Sequence, residues 1–256
     1  MTSRIELQGR HIFIAGGSRG IGAATARALG SFGAQVSLTY QRNQTAAEEV
    51  VETITSEGGQ AVTYQMDVED EASVSSVVDQ AVGQFGDLKG MVVSAGVFEH
   101  CLIEDMTVGF WERSISINLN GTVWCVKAAA RHMRSHGDCG SIVLYSSTAG
   151  QAGGGGGASA YAVSKAGQIM FGRCMAQELA RDQIRVNTVA PAWTETDMAA
   201  PHLDRLGRED VAKRFPLGRI GLPEDVASAT CYLLSDMASF VTGTVHTVDG
   251  GMAMRG

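Results

Sequence analysis

The chain repeats one pattern along most of its length: a short apolar run rich in β-branched residues, then a longer segment with helical period. Runs at 11–15, 36–40, 61–65, 90–93, 141–145, 185–189 and 244–248 read as strands. Segments at 22–32, 44–57, 71–85, 110–133, 161–180 and 223–234 read as helices. In the first of these, Ile21, Thr25, Ala28 and Leu29 recur at helical spacing and can share one sheet-facing stripe. Strands that are apolar nearly throughout are buried on both faces, as in a parallel sheet covered by crossover helices. Right-handed crossovers then give an α/β fold: a doubly wound, parallel seven-stranded sheet with helices on both faces and a ligand crevice beyond the strand C-termini. Functional residues are expected just after strands.

At 256 residues and 45% hydrophobic, the chain fits one core, and residues 1–256 are expected to form a single domain. Its net charge is −7 and its 20 basic residues are scattered, which argues against nucleic acid or an anionic membrane as partner. The first ten residues hold no apolar stretch of secretory length, and no run of 18 apolar residues occurs; a cytoplasmic location is expected. The 5 cysteines are odd in number and lack CxxC or Cys/His spacing, so neither a disulfide framework nor a metal site is expected. They read as small residues in or near a reduced core.

The first strand runs into Gly16-Gly17-Ser18-Arg19-Gly20-Ile21-Gly22 and then a helix. Glycines there permit a tight turn and close backbone approach to a pyrophosphate, while the helix N-terminus offers unpaired N–H groups to the anion. About 20 residues on, at the end of the second strand, a carboxylate would read the ribose 2′-OH of NAD. Tyr40, Gln41 and Arg42 stand there instead. With no carboxylate to repel a 2′-phosphate and with Arg19 and Arg42 as guanidinium candidates, the chemistry favours NADP(H) over NAD(H).

The GxxxGxG spacing resembles that of the short-chain dehydrogenases/reductases, a Rossmann-type family, and the resemblance spans essentially the whole sequence. That family usually has Thr before the first glycine, where Ala15 stands here. Asp67 and Val68 match its adenine-contacting Asp-Val pair. Ser94-Ala95-Gly96 matches the end of its Asn-Asn-Ala-Gly motif, with Val93 and Ser94 replacing both asparagines.

Tyr161 and Lys165 lie four apart at the start of a predicted helix, hence on one face. A tyrosine that exchanges protons near neutrality needs an adjacent cation, because its hydroxyl ordinarily titrates near ~10. A Tyr/Lys pair at this spacing also covers many helix surfaces. The resemblance implies more: Tyr161 gives the proton to a carbonyl oxygen, Ser147 hydrogen-bonds the same oxygen, Lys165 lowers the Tyr161 pKa and holds the nicotinamide ribose, and Asn118 anchors a water that relays protons to Lys165. Ser146 and Thr148 compete with Ser147, which is assigned by its place after the fifth strand. Pro191-Ala192-Trp193-Thr194-Glu195-Thr196 resembles the motif that contacts the nicotinamide carboxamide, so Pro191, Thr194 and Thr196 are expected contacts. The stretch 217–251 resembles the family's C-terminal end, which implies a homotetramer.

Two segments are irregular. The glycine run 153–157 reads as a flexible connection, and 194–216 as a substrate lid containing a short helix over 203–215. The substrate pocket is expected between 97–103, the glycine run, Trp193 and the lid; Trp193 is either an aromatic platform or core.

Together these features point to an NADP(H)-dependent oxidoreductase that reduces a ketone or 3-oxoacyl-type carbonyl, small molecule or acyl thioester, similar to 3-oxoacyl-carrier-protein reductases. The alternative within enzymes is oxidation of a sugar, polyol or steroid alcohol. A non-catalytic nicotinamide-binding regulatory protein would be expected to lose one or more of Asn118, Ser147, Tyr161 and Lys165, and all four are present.

Overall fold

Strands and helices alternate from the start of the computed structural model, which describes residues 5–137 and 139–253. In chain order they are β1 (His11–Ala15), α1 (Gly20–Ser31), β2 (Gln35–Tyr40), α2 (Gln44–Ser56), β3 (Gln60–Gln65), α3 (Glu71–Phe85) and β4 (Leu88–Val93). There follow α4 (Val108–Ile115), α5 (Gly121–His136), β5 (Gly140–Tyr145), α6 (Thr148–Ala152), α7 (Ser159–Glu178) and β6 (Ile184–Pro191). The chain closes with α8 (Ala200–Leu206), α9 (Arg208–Ala212), α10 (Pro223–Leu234) and β7 (Val245–Val248). The strands form one seven-stranded sheet in the order β3-β2-β1-β4-β5-β6-β7, and every pairing is parallel. The order reverses between β1 and β4, which opens the crevice there.

Side-chain alternation explains why the central strands β1, β4 and β5 carry two cores. Phe13 and Ala15 of β1, Met91 and Val93 of β4, and Ile142 and Leu144 of β5 join Val74 and Val78 of α3, Cys125 and Ala129 of α5 and Ala176 of α7 on one face. Ile12, Ile14, Val92 and Val143 point the other way, onto Ala23, Ala26 and Leu29 of α1, Val50 and Ile54 of α2 and Val226 of α10. A third, smaller cluster of Leu203, Val211, Phe215 and Ile220 packs under α8 and α9.

Three local features depart from the sequence reading. The helix expected over 110–133 is α4 and α5 joined by a π-helical turn, Ser116–Asn120, and Asn118 sits in that turn. The single helix expected over 203–215 is two short ones, because Gly207 takes φ 81° between α8 and α9. The short helix α6 was not anticipated; Ser147 caps it, its Oγ accepting from Ala149 N at 3.1 Å, and the glycine run begins at its C-terminal end. All five cysteines are free thiols, but only Cys125 and Cys231 are buried; Cys139 and Cys174 are exposed. Among the described residues, no helix is long and apolar enough to cross a membrane and no group of three or more His, Cys, Asp or Glu could hold a metal ion.

Candidate active site

Two adjoining cavities open beyond the C-terminal ends of the strands. The first, about 260 Å³, lies over the β1–α1 turn and is lined by Gly16, Ser18, Arg19, Gly20 and Ile21. Gly16 has φ 83°, and a Cβ on it would lie 2.7 Å from the backbone nitrogen of Ala95. A Cβ on Gly22 would lie 2.0 Å from the Gly16 carbonyl oxygen. Only glycine fits at either position, and the resulting cradle brings bare backbone to the cavity floor. The hydroxyl that Ala15 lacks has a stand-in from the neighbouring strand: Thr39 Oγ1 accepts from Gly16 N at 3.0 Å. The β4 turn likewise survives without asparagines, since Ser94 N and Ala95 N both donate to the Ala15 carbonyl at 2.9 and 2.8 Å.

Helix α1 begins at this cradle with no side-chain cap and no acidic residue in its first turn, leaving its terminal N–H groups for an anion. Tyr40, Val68, Ser94, Ala95 and Gly96 complete the wall, with Thr196 and Pro191 reaching in from the other end. The two arginines part company. Arg19 lines the cavity, whereas Arg42 is exposed and does not, nor does Asp67, whose Oδ1 accepts from Glu69 N at 3.0 Å. No carboxylate lines the β2 end; the one on this wall, Asp197, belongs to the segment after β6.

Tyr161 and Lys165 border this first cavity, and Tyr161 also lines the second, together with Ser147. The three candidate hydroxyls after β5 separate by their bonds. Ser146 is buried and donates to the Lys165 backbone carbonyl at 2.7 Å, Thr148 is buried at the start of α6, and Ser147 hydrogen-bonds Tyr161. Burial raises the Tyr161 pKa, and the bond from Ser147 opposes that rise. Lys165 Nζ sits 5.6 Å from the Tyr161 ring centroid, and burial of its ammonium pulls its pKa down to about 7.

A residue the sequence reading passed over joins these groups. Gln168 is fully buried; its Oε1 accepts from Lys165 Nζ at 3.0 Å, while its Nε2 donates to the Asn118 carbonyl at 2.8 Å and to Thr122 Oγ1 at 2.6 Å. Lys165 Nζ also donates to the Tyr145 carbonyl at 2.8 Å. Asn118, expected to anchor a water, has a carbonyl that accepts from Thr122 Oγ1 at 2.7 Å as well as from Gln168. Its side chain is committed too: Oδ1 accepts from Val97 N at 2.8 Å, and Nδ2 donates to Val97 O and to Ser164 Oγ, both at 3.0 Å. The π turn is what lets Asn118 present both its carbonyl and its side chain toward α7 and β4.

The second cavity, about 550 Å³, extends outward from Ser147 and Tyr161. Phe98 is its hub, with ring centroids of Tyr161 at 4.6 Å, His202 at 4.8 Å and Trp193 at 5.9 Å. Trp193 lines this cavity and also packs against the small cluster beneath α8 and α9. Thr194 lines this cavity, and its Oγ1 donates to the Ala192 carbonyl at 3.0 Å.

A glycine-cradled helix N-terminus beside a buried Tyr/Lys pair, at the switch point of a parallel sheet, defines a nicotinamide-dinucleotide oxidoreductase. The chain belongs to the short-chain dehydrogenase/reductase family: a family model described as enoyl-(acyl carrier protein) reductase matches residues 15–253. A cis-4-hydroxycyclohexanecarboxylate dehydrogenase of Sinomonas cyclohexanicum is 40% identical over 93% of this chain and 94% of its own. A 3-oxoacyl-[acyl-carrier-protein] reductase of Synechocystis is 36% identical over 94% of this chain and 96% of its own. Among solved structures, a short-chain type dehydrogenase/reductase from Mycobacterium marinum superposes with a TM-score of 0.93 at 32% identity, covering 98% of both chains.

Proposed function

We propose that the protein is an NADP(H)-dependent carbonyl reductase in which Tyr161 gives the proton to the substrate oxygen. The observation that carries this reading is the placement of Tyr161 at the junction of the two cavities, bonded to Ser147 on one side and backed by the Lys165 ammonium on the other. The glycine cradle fits a dinucleotide pyrophosphate, and Gly16, Ser18, Gly20, Ile21 and the α1 N-terminus would hold it; Tyr40 and Arg19 would meet the adenosine ribose and its 2′-phosphate. When bound, the nicotinamide supplies the hydride.

Each residue has one task. Ser147 fixes the carbonyl oxygen within reach of the Tyr161 hydroxyl and stabilises the charge that develops on it. Tyr161 releases its proton to that oxygen, and the phenolate left behind is favoured by the adjacent cation of Lys165. Gln168 and the Tyr145 carbonyl hold Lys165 Nζ in place. Asn118 fixes the β4 turn to α7 through Val97 and Ser164. Similarity to the Sinomonas dehydrogenase also favours the reverse reaction, alcohol oxidation, for which the same groups serve in the opposite order.

The reading extends to residues 194–216 as a lid, to a homotetramer and to a cytoplasmic enzyme. The lid is supported by the small separate core under α8 and α9. The tetramer is supported by the exposed apolar side chains of Leu217, Met237 and Phe240 within and beside the family-like C-terminal stretch. The direct experiment is single turnover with NADPH deuterated at the transferred position: deuterium at the carbinol carbon of the product supports hydride transfer, and product without it contradicts the reading.

A further inference from the structure

The second cavity has an uneven lining. Phe98, His100 and Trp193 supply rings to its wall, with the His202 centroid 4.6 Å from that of His100. Along residues 149–158 the lining is Ala149, Ala152, glycines 153–156 and Ala158, with nothing larger than a methyl group. The two kinds of wall are stitched together where His100 Nδ1 donates to the Gly156 carbonyl at 2.7 Å. A Cβ on Gly153, Gly155 or Gly156 would meet no atom within 4 Å, so the glycine run leaves open space instead of filling a gap. At about 550 Å³, the cavity has room for a small cyclic compound.

Its charged groups call for one kind of partner. In a chain of net charge −7, no Asp or Glu lines this cavity, whereas Arg205 and Arg214 both do. The surrounding segment has carboxylates to spare, yet they go elsewhere: Arg208 pairs with Glu195 and Asp204, and Lys213 with Asp210. Among the described residues Arg205 and Arg214 have no ion-pair partner. With Nδ1 donating to Gly156, the buried Nε2 of His100 is left as an unpartnered acceptor, which a hydroxyl of the ligand can satisfy.

We infer that the substrate is a cyclic carbonyl compound bearing a carboxylate, with its carbonyl at Ser147 and Tyr161, its ring beside Phe98 and Trp193, and its carboxylate received by Arg205 and Arg214. The inference rests on the reduction proposed above: a ketone, NADPH and a proton give the alcohol and NADP+, with the proton leaving Tyr161. Arginine suits the carboxylate because its planar fork matches the two oxygens.

The test is a matched pair, 4-oxocyclohexanecarboxylate and its methyl ester, with NADPH consumption followed. The acid should exceed the ester in kcat/KM by about tenfold or more, equivalent to about 1.4 kcal/mol. That ratio should fall as ionic strength rises in the wild-type enzyme, and should approach one in an Arg205→Gln/Arg214→Gln variant. An acid-to-ester ratio near one, or one insensitive to both salt and the substitutions, overturns the inference. So does turnover of neither ring compound by an enzyme that reduces a small uncharged diketone, a result that leaves hydride transfer standing. Absence of turnover with all three compounds counts against the proposed reduction itself and removes the basis of this inference with it.

Discussion

The Lys165 ammonium donates to the side-chain carbonyl of Gln168 at 3.0 Å, one turn further along α7. The amide is fully used, since its nitrogen serves Asn118 and Thr122, so Gln168 has no freedom to turn away. An acceptor on a buried ammonium favours the charged form, opposing the burial that draws Lys165 down to about 7.

Gln168→Leu removes that acceptor at similar volume. The Lys165 pKa should drop further, its cation should be lost at lower pH, and the Tyr161 phenolate should be harder to form. The rising limb of the pH profile for alcohol oxidation should therefore move to higher pH, with kcat down about tenfold, in keeping with the loss of one hydrogen bond to a charged group. A profile that keeps its shape while kcat falls would limit Gln168 to packing.

NADPH should bind more tightly than NADH. Arg19 lines the cavity and Arg42 does not, so Arg19→Ala should weaken NADPH by about tenfold and NADH little, the loss expected for one charged contact to a phosphate. Dissociation constants from fluorescence titration decide it; an Arg42→Ala effect equal to that of Arg19→Ala would contradict the placement.

His11 is buried between the Gly86 carbonyl, to which Nδ1 donates at 3.0 Å, and the Ser37 hydroxyl at 2.9 Å from Nε2. Burial lowers its pKa below 6.5, so as pH falls through that value the unfolded chain takes up a proton that the folded one refuses. Its contribution to stability is present above about 6.5 and declines below it. Tm of wild type should fall more steeply between neutral and acid pH than Tm of His11→Gln. Parallel pH curves would contradict this.

Amide exchange in residues 194–216 should slow on addition of cofactor and a substrate analogue, because Thr196 already approaches the glycine turn: a Cβ on Gly20 would lie 3.3 Å from Thr196 Cγ2. Unchanged exchange, measured by mass spectrometry, would make this segment a static wall.

The sheet was legible because its strands are buried on both faces and announce themselves as apolar runs; β1, α3 and α10 fall at the expected residues. The glycine turn and the Tyr161/Lys165 spacing were legible because each is local. Gln168 was not: a polar residue in a helix reads as surface, and only the approach of the π turn to α7 buries it. The exclusion of Arg42 from the cavity was not legible either, since lining depends on the path of the chain after β2. The break between α8 and α9 turns on one residue, Gly207, and helical periodicity alone gave no sign of it.

The most direct test of the account is Tyr161→Phe, which deletes the hydroxyl and keeps the ring against Phe98. Removal of the proton donor should lower kcat by about 10²–10⁴-fold, while NADPH affinity, read in the same preparation, stays nearly intact. Retention of more than about a tenth of wild-type kcat on a good substrate would contradict the assignment of Tyr161 as the acid.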